Sequence, residues 1–339
     1  MIAQASTCQN PGDGLHPFDM RRDLLQLANL IELSFQSELD QAANPIVAEM
    51  RRLARSGPVL WLFDATHWLL SSLLRGYVWI ANGQLVGNVS LNRDSEQHDL
   101  WSISNVAVHP EFRGHGIARQ LMKAAIQEAR HKGARLVILE VQKENAPAHQ
   151  LYKELGFQIY DSVAELSLPE GKYRKQRLMP PLPLRGWRPE DWQGIENLLR
   201  AVTPKAAQEV RPLISSRYRP SMRRQLERWL DDLMYLRQSQ DWLLEENGQI
   251  IALLQITAQY TKAAHRLQIF VHPHYRGAIE EKLIASGLNR LAHFPDREVT
   301  SIVSTSHVEA LQAFHQNGFR TIRLLDLMKL DLRDNKEKA

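Results

Sequence analysis

The chain has 339 residues, of which 44% are hydrophobic and 24% charged, so it has an ordinary globular composition and is long enough for two domains. A formal net charge of +4 gives no reason to expect nucleic acid or a membrane as partner. Cys8 is the single cysteine, so no disulfide can form within the chain. The N-terminus shows no signal-peptide pattern, and Asp64 and His67 interrupt the apolar stretch 59–74. We therefore expect a cytoplasmic protein.

Hydrophobic periodicity and turn residues predict the elements of the first half of the chain. In chain order they are helices over 19–36 and 44–56, a hairpin over 77–91 that turns at Asn82-Gly83, a strand over 100–110, a helix over 114–133, a buried strand over 135–141, a short helix over 145–156 and a strand over 157–168. This alternation predicts an α/β fold, or an α+β fold with a mixed sheet.

Two phrases of the sequence occur twice, in the same order and 162 or 163 residues apart. VHPEFRGHGIARQL (108–121) returns as VHPHYRGAIEEKL (271–283), and AHQLYKELGF (148–157) returns as ALQAFHQNGF (310–319). The proline-rich segment 179–184 between the copies is typical of a linker. We therefore predict two domains built alike, 1–180 and 181–339.

The segment Arg113–Ala118 has the features of a phosphate-binding loop. Small residues at Gly114, Gly116 and Ala118 let an anion approach the backbone N–H groups at the start of the predicted helix. Arg113 adds positive charge. Neither a Walker A loop nor a Rossmann fingerprint is present there, which argues against a nucleotide-binding protein.

The order NVAVHPEFRGHGIARQLM, LEV and NAPAHQLYKELGF resembles the acetyl-CoA-binding core of the GNAT superfamily of N-acetyltransferases. The resemblance covers about 77–168 and is specific in order and spacing. It implies a central mixed sheet with helices on both faces in each copy, acetyl-CoA as co-substrate, and a primary amine as acceptor. It does not tell a small-molecule acceptor from a protein acceptor.

The same resemblance implies a role for particular residues in direct acyl transfer. Tyr152 would protonate the departing thiolate, and the side chain of Asn145 would bind the cofactor. Backbone groups would bind the pantetheine arm at Val106, Ala107 and Val108, and the pyrophosphate at Arg113, Gly114, His115, Gly116, Ile117, Ala118 and Arg119. We expect the His115 side chain to face solvent, and we see no Cys/His/Asp spacing typical of a metal site.

The base that takes the proton from the amine is the part where the sequence departs from the superfamily pattern. Serines stand at 102 and 104, where many members of the superfamily have a carboxylate. Glu140 is our candidate, because a carboxylate that ends a buried strand can have a raised pKa. A structural role for Glu140, His98 or Asp99 as base, and a water relay are the alternatives.

The second copy departs from the first at the positions that carry the chemistry. The replacements are Gly116 by Ile279, Ile117 by Glu280, Ala118 by Glu281, Glu140 by Ile302, Asn145 by His307 and Tyr152 by Phe314. We expect two carboxylates there to repel a pyrophosphate, and so predict a degenerate copy that keeps the shape alone. The arginine-rich stretch 211–229 is either a solvated helix face or a surface for an acidic partner.

These patterns predict an acyl-CoA-dependent N-acyltransferase that is active in its first half. A sensor or scaffold that binds acyl-CoA without turnover is the alternative. We expect a monomer with an intramolecular pseudo-dimer, or a homodimer. The tandem arrangement resembles that of mycothiol-synthesising acetyltransferases, but with the active half exchanged, so their substrate is not carried over.

Overall fold

The structure is a computed structural model that describes residues 12–34, 47–48, 50–52, 75–95, 97–172, 182–212 and 221–333, with the side chains of 224 and 225 left out. Contacts divide the chain into two compact units. Unit 1 is formed by Met1–Glu140, Pro147–Gln158 and Met328–Ala339, and unit 2 by Val141–Ala146 and Ile159–Leu327.

Unit 1 is built on a mixed sheet with the strand order β1-β2-β3-β4-β5. The first three pairs are antiparallel, and β4 and β5 are parallel. The strands are β1 Gly14–Pro17, β2 Gly76–Ala81, β3 Gln84–Arg93, β4 Leu100–Val108 and β5 Leu136–Gln142, and the helices are α1 Met20–Ser34, α2 Ile117–His131 and α3 Ala146–Glu154. The predicted hairpin is confirmed, since Asn82 and Gly83 both have positive φ, as a type I′ turn requires.

Helices cover both faces of the unit 1 sheet. Val78 and Ile80 of β2 belong to one buried cluster with the apolar face of α1. Trp79 lies between them in sequence and points to the opposite face. On that face a side chain at position 87 would collide with Ile117 and Leu121 of α2. Because Gly87 has no side chain, α2 can lie close to β3. Of the predicted helix 44–56, the described residues 47–48 and 50–52 are helical.

Unit 2 also contains a mixed sheet, with the order β12-β6-β11-β10-β9-β8-β7. Parallel pairing joins β10 to β11, and antiparallel pairing joins β6 to β11 and the strands from β7 to β10. The strands are β6 Gln158–Leu168, β7 Arg185–Gly186, β8 Arg237–Glu246, β9 Gln249–Gln259, β10 His265–Val271, β11 Val299–Ser304 and β12 Arg320–Asp331, and the helices are α4 Trp192–Val202, α5 Lys205–Val210, α6 Met222–Met234, α7 Glu280–Leu291 and α8 Val308–Gln316. The expectation of mixed sheets flanked by helices is confirmed.

The sequence repeat is visible in the backbone. After β4, the His109 side chain accepts a hydrogen bond from the Glu111 N–H and caps the 3₁₀ turn Pro110–Phe112, with φ −51° and ψ 134°. After β10, His272 caps Pro273–Tyr275 in the same way, with φ −54° and ψ 134°. These two histidines therefore end strands and start turns, which explains why His-Pro occurs twice.

The compact units do not coincide with the two halves of the sequence. Strand β6 comes from the first half, but from Ile159 onward it belongs to unit 2, where it pairs with β11 from Val163 to Leu168. The last residues of β12 belong to unit 1. The domains 1–180 and 181–339 therefore remain a prediction about the sequence repeat.

The arginine-rich stretch is described in part, and neither expectation for it is tested. Its residues 213–220 lie outside the described part, and 222–229 belong to α6. The charged side of α6 contacts strand β8, since Arg228 pairs with Asp241 at 2.7 Å and Asp232 with Arg237 at 3.0 Å. The side exposed to solvent is mainly apolar, and includes Met222, Leu226, Trp229, Leu230, Leu233 and Met234.

Within the described ranges, no helix has the length and apolar character that crossing a bilayer requires. The apolar stretch 59–74 lies outside those ranges.

Helix α1 gives a direct test of the unit 1 core. Leu27 is fully buried, whereas Leu25 on the same helix is 43% exposed. We expect Leu27→Ala to lower the free energy of unfolding by about 2–5 kcal/mol, because it leaves a cavity, and Leu25→Ala to change it far less. Chemical denaturation of both variants checks this. Equal losses would show that α1 does not pack through the face described here.

Candidate active site

A bulge in strand β4 is the first feature of the candidate site. Asn88 of β3 lies opposite Ala107, and Ser90 lies opposite Ser104, so β4 has one residue more than β3 between these pairs. Asn105 lies in the bulge with φ 53°, a left-handed conformation that asparagine tolerates better than most residues. The bulge changes the course of β4 just before Val106.

Side-chain hydrogen bonds support this bulge. The buried Asn88 side chain donates from Nδ2 to the carbonyl oxygen of Asn105 at 3.0 Å. The Asn105 amide donates in turn to the hydroxyl of Ser90 at 3.2 Å, and Ser90 is also buried. Sequence reasoning missed this group. The available signal was an asparagine at each of two positions in strands made mostly of apolar and small residues.

Strands β4 and β5 separate before β4 reaches the bulge. Their parallel pairing covers Leu100 to Ser102 on β4 and stops at Ile138 on β5. On its other edge, β4 stays paired with β3 as far as Val108. Among the strands of unit 1, Val106–Val108 therefore pairs with β3 alone, and its edge toward β5 carries no strand pairing there.

The loop after β4 is held by its own backbone and by one side chain. The Arg113 N–H donates to the Pro110 carbonyl, and Arg113 Nε donates to the Val108 carbonyl, each at 3.2 Å. The ring of His115 is exposed, with Nδ1 3.0 Å from the Arg113 carbonyl oxygen. The solvent-facing position expected for His115 is thus observed.

Two glycines give the loop its shape and its open surface. Gly114 has φ +81° and Gly116 has φ +76°, which residues with a side chain rarely adopt. A Cβ placed on either glycine would meet no atom within 4 Å, so the space above the loop is open. Gly116 is the N-cap of α2, and the first N–H groups of a helix have no partner inside it. Open backbone donors at a helix start can bind an anion.

The residues that follow the loop are divided between the core and the surface. Ile117 is buried, whereas Ala118 and Arg119 are half-buried. Arg119 forms an ion pair with Glu154 near the end of α3, and this contact holds the pKa of Glu154 below its usual range. Sequence reasoning gave Arg119 a backbone role only, because a contact over 35 residues leaves no local pattern.

Tyr152 lies on α3 with 6% of its surface exposed. Its ring centroid is 6.0 Å from that of Phe157. Burial raises the pKa of the Tyr152 phenol to about 12. The phenol therefore stays protonated at neutral pH. Because no hydrogen bond to this hydroxyl occurs among the described residues, its O–H is available to donate.

The expected environment of Glu140 needs a correction. Leu136–Leu139 of β5 are buried, but Glu140 itself is exposed. Desolvation of a buried strand end was the reason to expect a raised pKa, and that cause is absent at Glu140. Asp99 is held in a pair with Arg135 at 2.6 Å, and the pKa of Asp99 is lowered, chiefly by that hydrogen bond. His98 is exposed, and Ser102 and Ser104 are half-buried.

Asn145 belongs to unit 2. It lies in the turn between β5 and α3, where its N–H donates to the Gln142 carbonyl at 2.9 Å. Its side chain is exposed.

The second copy keeps the scaffold of these elements with different side chains. The parallel pairing of β10 with β11 covers only His265 and Arg266, so these strands separate as β4 and β5 do. Phe314, at the position of Tyr152, is fully buried against Phe319 with ring centroids 4.9 Å apart. Ile302, at the position of Glu140, is exposed.

Residues 44–157 match the family model described as Acetyltransferase (GNAT) family, and this match includes the bulge, the loop and Tyr152. This segment of the chain is therefore similar to the GNAT acetyltransferase family. Members of this family generally use acetyl-CoA and amine acceptors.

Known relatives match parts of the chain. An uncharacterized N-acetyltransferase from Methanocaldococcus jannaschii is 36% identical over 103 residues, which are 29% of this chain and 44% of that protein. Mycothiol acetyltransferase from Brachybacterium faecium is 30% identical over 159 residues, which are 46% of this chain and 44% of that protein. The chain thus spans less than half the length of these relatives.

A solved structure resembles the whole chain. It is the tandem GNAT protein from the clavulanic acid biosynthesis pathway, with a TM-score of 0.56, 18% identity, and coverage of 94% of this chain and 98% of that one. At this identity the likeness shows the fold alone.

The bulge at Asn105 can be tested by two substitutions at the same position. Asn105→Ala removes the side-chain hydrogen bonds and places an alanine in a left-handed conformation that costs about 1–2 kcal/mol. Asn105→Gly removes the same hydrogen bonds but tolerates the conformation. We expect Asn105→Ala to lower the free energy of unfolding more than Asn105→Gly, as measured by chemical denaturation. An equal or smaller loss in Asn105→Ala would show that the left-handed backbone is not what this position requires.

Proposed function

We propose that this chain is an acyl-CoA-dependent N-acyltransferase that transfers an acetyl group directly to a primary amine, with the site in its first half. The observation that carries the proposal is the open glycine loop at the start of α2, next to the stretch of β4 whose edge toward β5 is open. These features lie within the segment that matches the family. In this proposal residues 1–180 form the catalytic domain and 181–339 a degenerate copy.

The loop and strand fit the chemical groups of acetyl-CoA. Its thioester supplies an activated acyl group when the cofactor is bound. The N–H groups of Gly114–Arg119 would hold the pyrophosphate, because both glycines leave open space above the backbone. The open edge of Val106–Val108 offers peptide groups to the amides of the pantetheine arm. Asn145 stays the proposed side-chain contact to the cofactor.

The buried phenol of Tyr152 is suited to act on the leaving thiolate. Burial disfavours the phenolate, so the O–H is retained and can donate to a sulfur on which negative charge develops. A positioned donor of this kind contributes a rate factor on the order of 10²–10⁴.

Removal of the amine proton is the remaining step of the transfer. We retain Glu140 as the proposed base, although its exposed position leaves it with access to water and no desolvation. Proton transfer through a water molecule between the amine and Glu140 fits this position. An α-amino group, with a pKa of about 7.7–8.0, gives up its proton more readily than a lysine at about 10.4.

The exposure of Glu140 is also the observation that favours the second candidate function. A chain that binds acyl-CoA without a desolvated base would serve as a sensor or scaffold. Both functions require acyl-CoA binding, but only the transferase turns it over. A substitution of Tyr152 therefore distinguishes them, because it should change turnover and leave binding unchanged.

Replacing Tyr152 by Phe removes the proton donor and keeps the ring that packs near Phe157. We expect kcat for acetyl transfer to fall by about 10²–10⁴, while the dissociation constant for acetyl-CoA stays within about threefold. Release of free thiol with a panel of amines, together with calorimetric titration of acetyl-CoA, gives both numbers. Acetyl-CoA binding without turnover on any amine would favour the sensor, and no binding would exclude both functions.

The loop can be tested with a matched pair of glycines. Gly116 and Gly133 have φ +76° and +80°, and a Cβ on either meets no atom within 4 Å. Alanine at either position therefore carries a similar backbone strain, of about 1–2 kcal/mol. We expect Gly116→Ala to weaken acetyl-CoA binding at least tenfold and Gly133→Ala, at the end of α2, to leave it unchanged. Equal effects on binding would show that the loop makes no specific contact.

A further inference from the structure

The loop of the second copy, residues 276–279, holds a carboxylate of the chain itself. The N–H of Gly277 donates to Glu280 Oε2 at 2.9 Å, and the N–H of Ile279 donates to the same oxygen at 3.3 Å. The Glu280 side chain is 2% exposed. Glu280 is therefore turned back over the loop and buried there.

The other oxygen of Glu280 is bound as well. Nε2 of His307 donates to Glu280 Oε1 at 3.0 Å, and His307 is the N-cap residue of α8. Burial alone would raise the pKa of Glu280, but the hydrogen bonds from His307 and the Gly277 N–H outweigh it and hold that pKa below its usual value. The carboxylate is thus an anion with both oxygens satisfied.

The first loop has the same backbone start and a different occupant. Gly277 has φ +82°, close to the +81° of Gly114. At the position of Glu280, however, the first copy has Ile117, whose side chain packs next to Gly87 in the core. The first loop is therefore left open, whereas the second is filled by its own helix.

These contacts separate the two carboxylates, Glu280 and Glu281, that we expect to repel a pyrophosphate. Only Glu281 is exposed, and no hydrogen bond joins it to the loop among the described residues. Glu280 instead uses the donors that a phosphate oxygen would use. A bound ligand has to replace Glu280, which is a competition for hydrogen bonds rather than a long-range charge effect.

We propose that the second loop is a binding site for a phosphate or pyrophosphate group and that Glu280 occupies it as an internal ligand, which closes this half to phosphorylated ligands. The inference concerns the second copy and does not depend on turnover in the first. It predicts that removing the Glu280 side chain opens a second anion site, while changing charge alone does not.

Three variants of the full chain separate occupancy from charge. Glu280→Ala removes the occupant, and Glu280→Gln keeps its shape and an acceptor oxygen but removes the charge. Glu281→Ala removes one charge from the neighbouring exposed position. Inorganic pyrophosphate is titrated into ¹⁵N-glycine-labelled protein, and the Gly277 amide signal, assigned by its loss in Gly277→Ala, is followed by NMR.

We expect a saturable shift of the Gly277 signal in Glu280→Ala only, with pyrophosphate affinity at least tenfold above that of the wild type. Glu309 lies beside the loop, 3.7 Å from a Cβ placed on Gly277, so binding in the opened site will be weaker than in a basic pocket. If Glu280→Ala lowers the melting temperature too far, Glu280→Ser is the second variant, since its side chain is too short to reach both N–H groups.

Two results would overturn the inference. A folded Glu280→Ala or Glu280→Ser chain whose Gly277 signal does not respond would show that the loop is no anion site. Equal responses in Glu280→Gln or Glu281→Ala would show that charge, and not occupancy, closes it. The signals of Gly114 and Gly116 report the first loop in the same titration, so failure of the proposed function is seen separately.

Discussion

Backbone N–H groups at the start of a helix need hydrogen-bond acceptors. The second copy supplies an acceptor from its own chain, and the first copy does not. In the second copy Glu280 supplies the acceptor from within the chain and is buried in the process. In the first copy the residue at that position, Ile117, packs into the core, and the glycines before it leave the N–H groups open. One substitution at the first position of a helix thus decides whether its donors are satisfied internally or remain available to a ligand.

The position of the proposed catalytic acid shows the same division between shape and chemistry. Tyr152 and Phe314 both lie near the end of a short helix, are buried, and pack near a phenylalanine five residues later in the chain. The aromatic ring is thus sufficient for packing in the second copy. The hydroxyl of Tyr152 is what the first copy adds to this ring, and our proposal assigns the proton donor to it.

Local patterns were enough to predict most elements, because helix and strand periodicity, the Asn82-Gly83 turn and the glycine loop are each encoded in a few neighbouring residues. The contacts that decide the site's details are not local. The Asn88–Asn105 hydrogen bond and the Arg119–Glu154 pair join residues 17 and 35 positions apart. At Glu140 a local pattern gave the wrong burial. The apolar run of β5 predicted a buried strand end, but the strand's final side chains alternate between the inside and the surface.

The division of the chain into units ties the two halves of the sequence together. Strand β6 is encoded in the first half of the sequence, yet it pairs with β11 over six residues inside unit 2. Leu166 and Leu168 of β6 are buried in the core that also holds Phe314. A cut near residue 180 would therefore remove a central strand from unit 2 along with its share of that core. The sheet of unit 2 thus depends on both halves of the sequence, whether or not the loop at 276–279 binds a ligand.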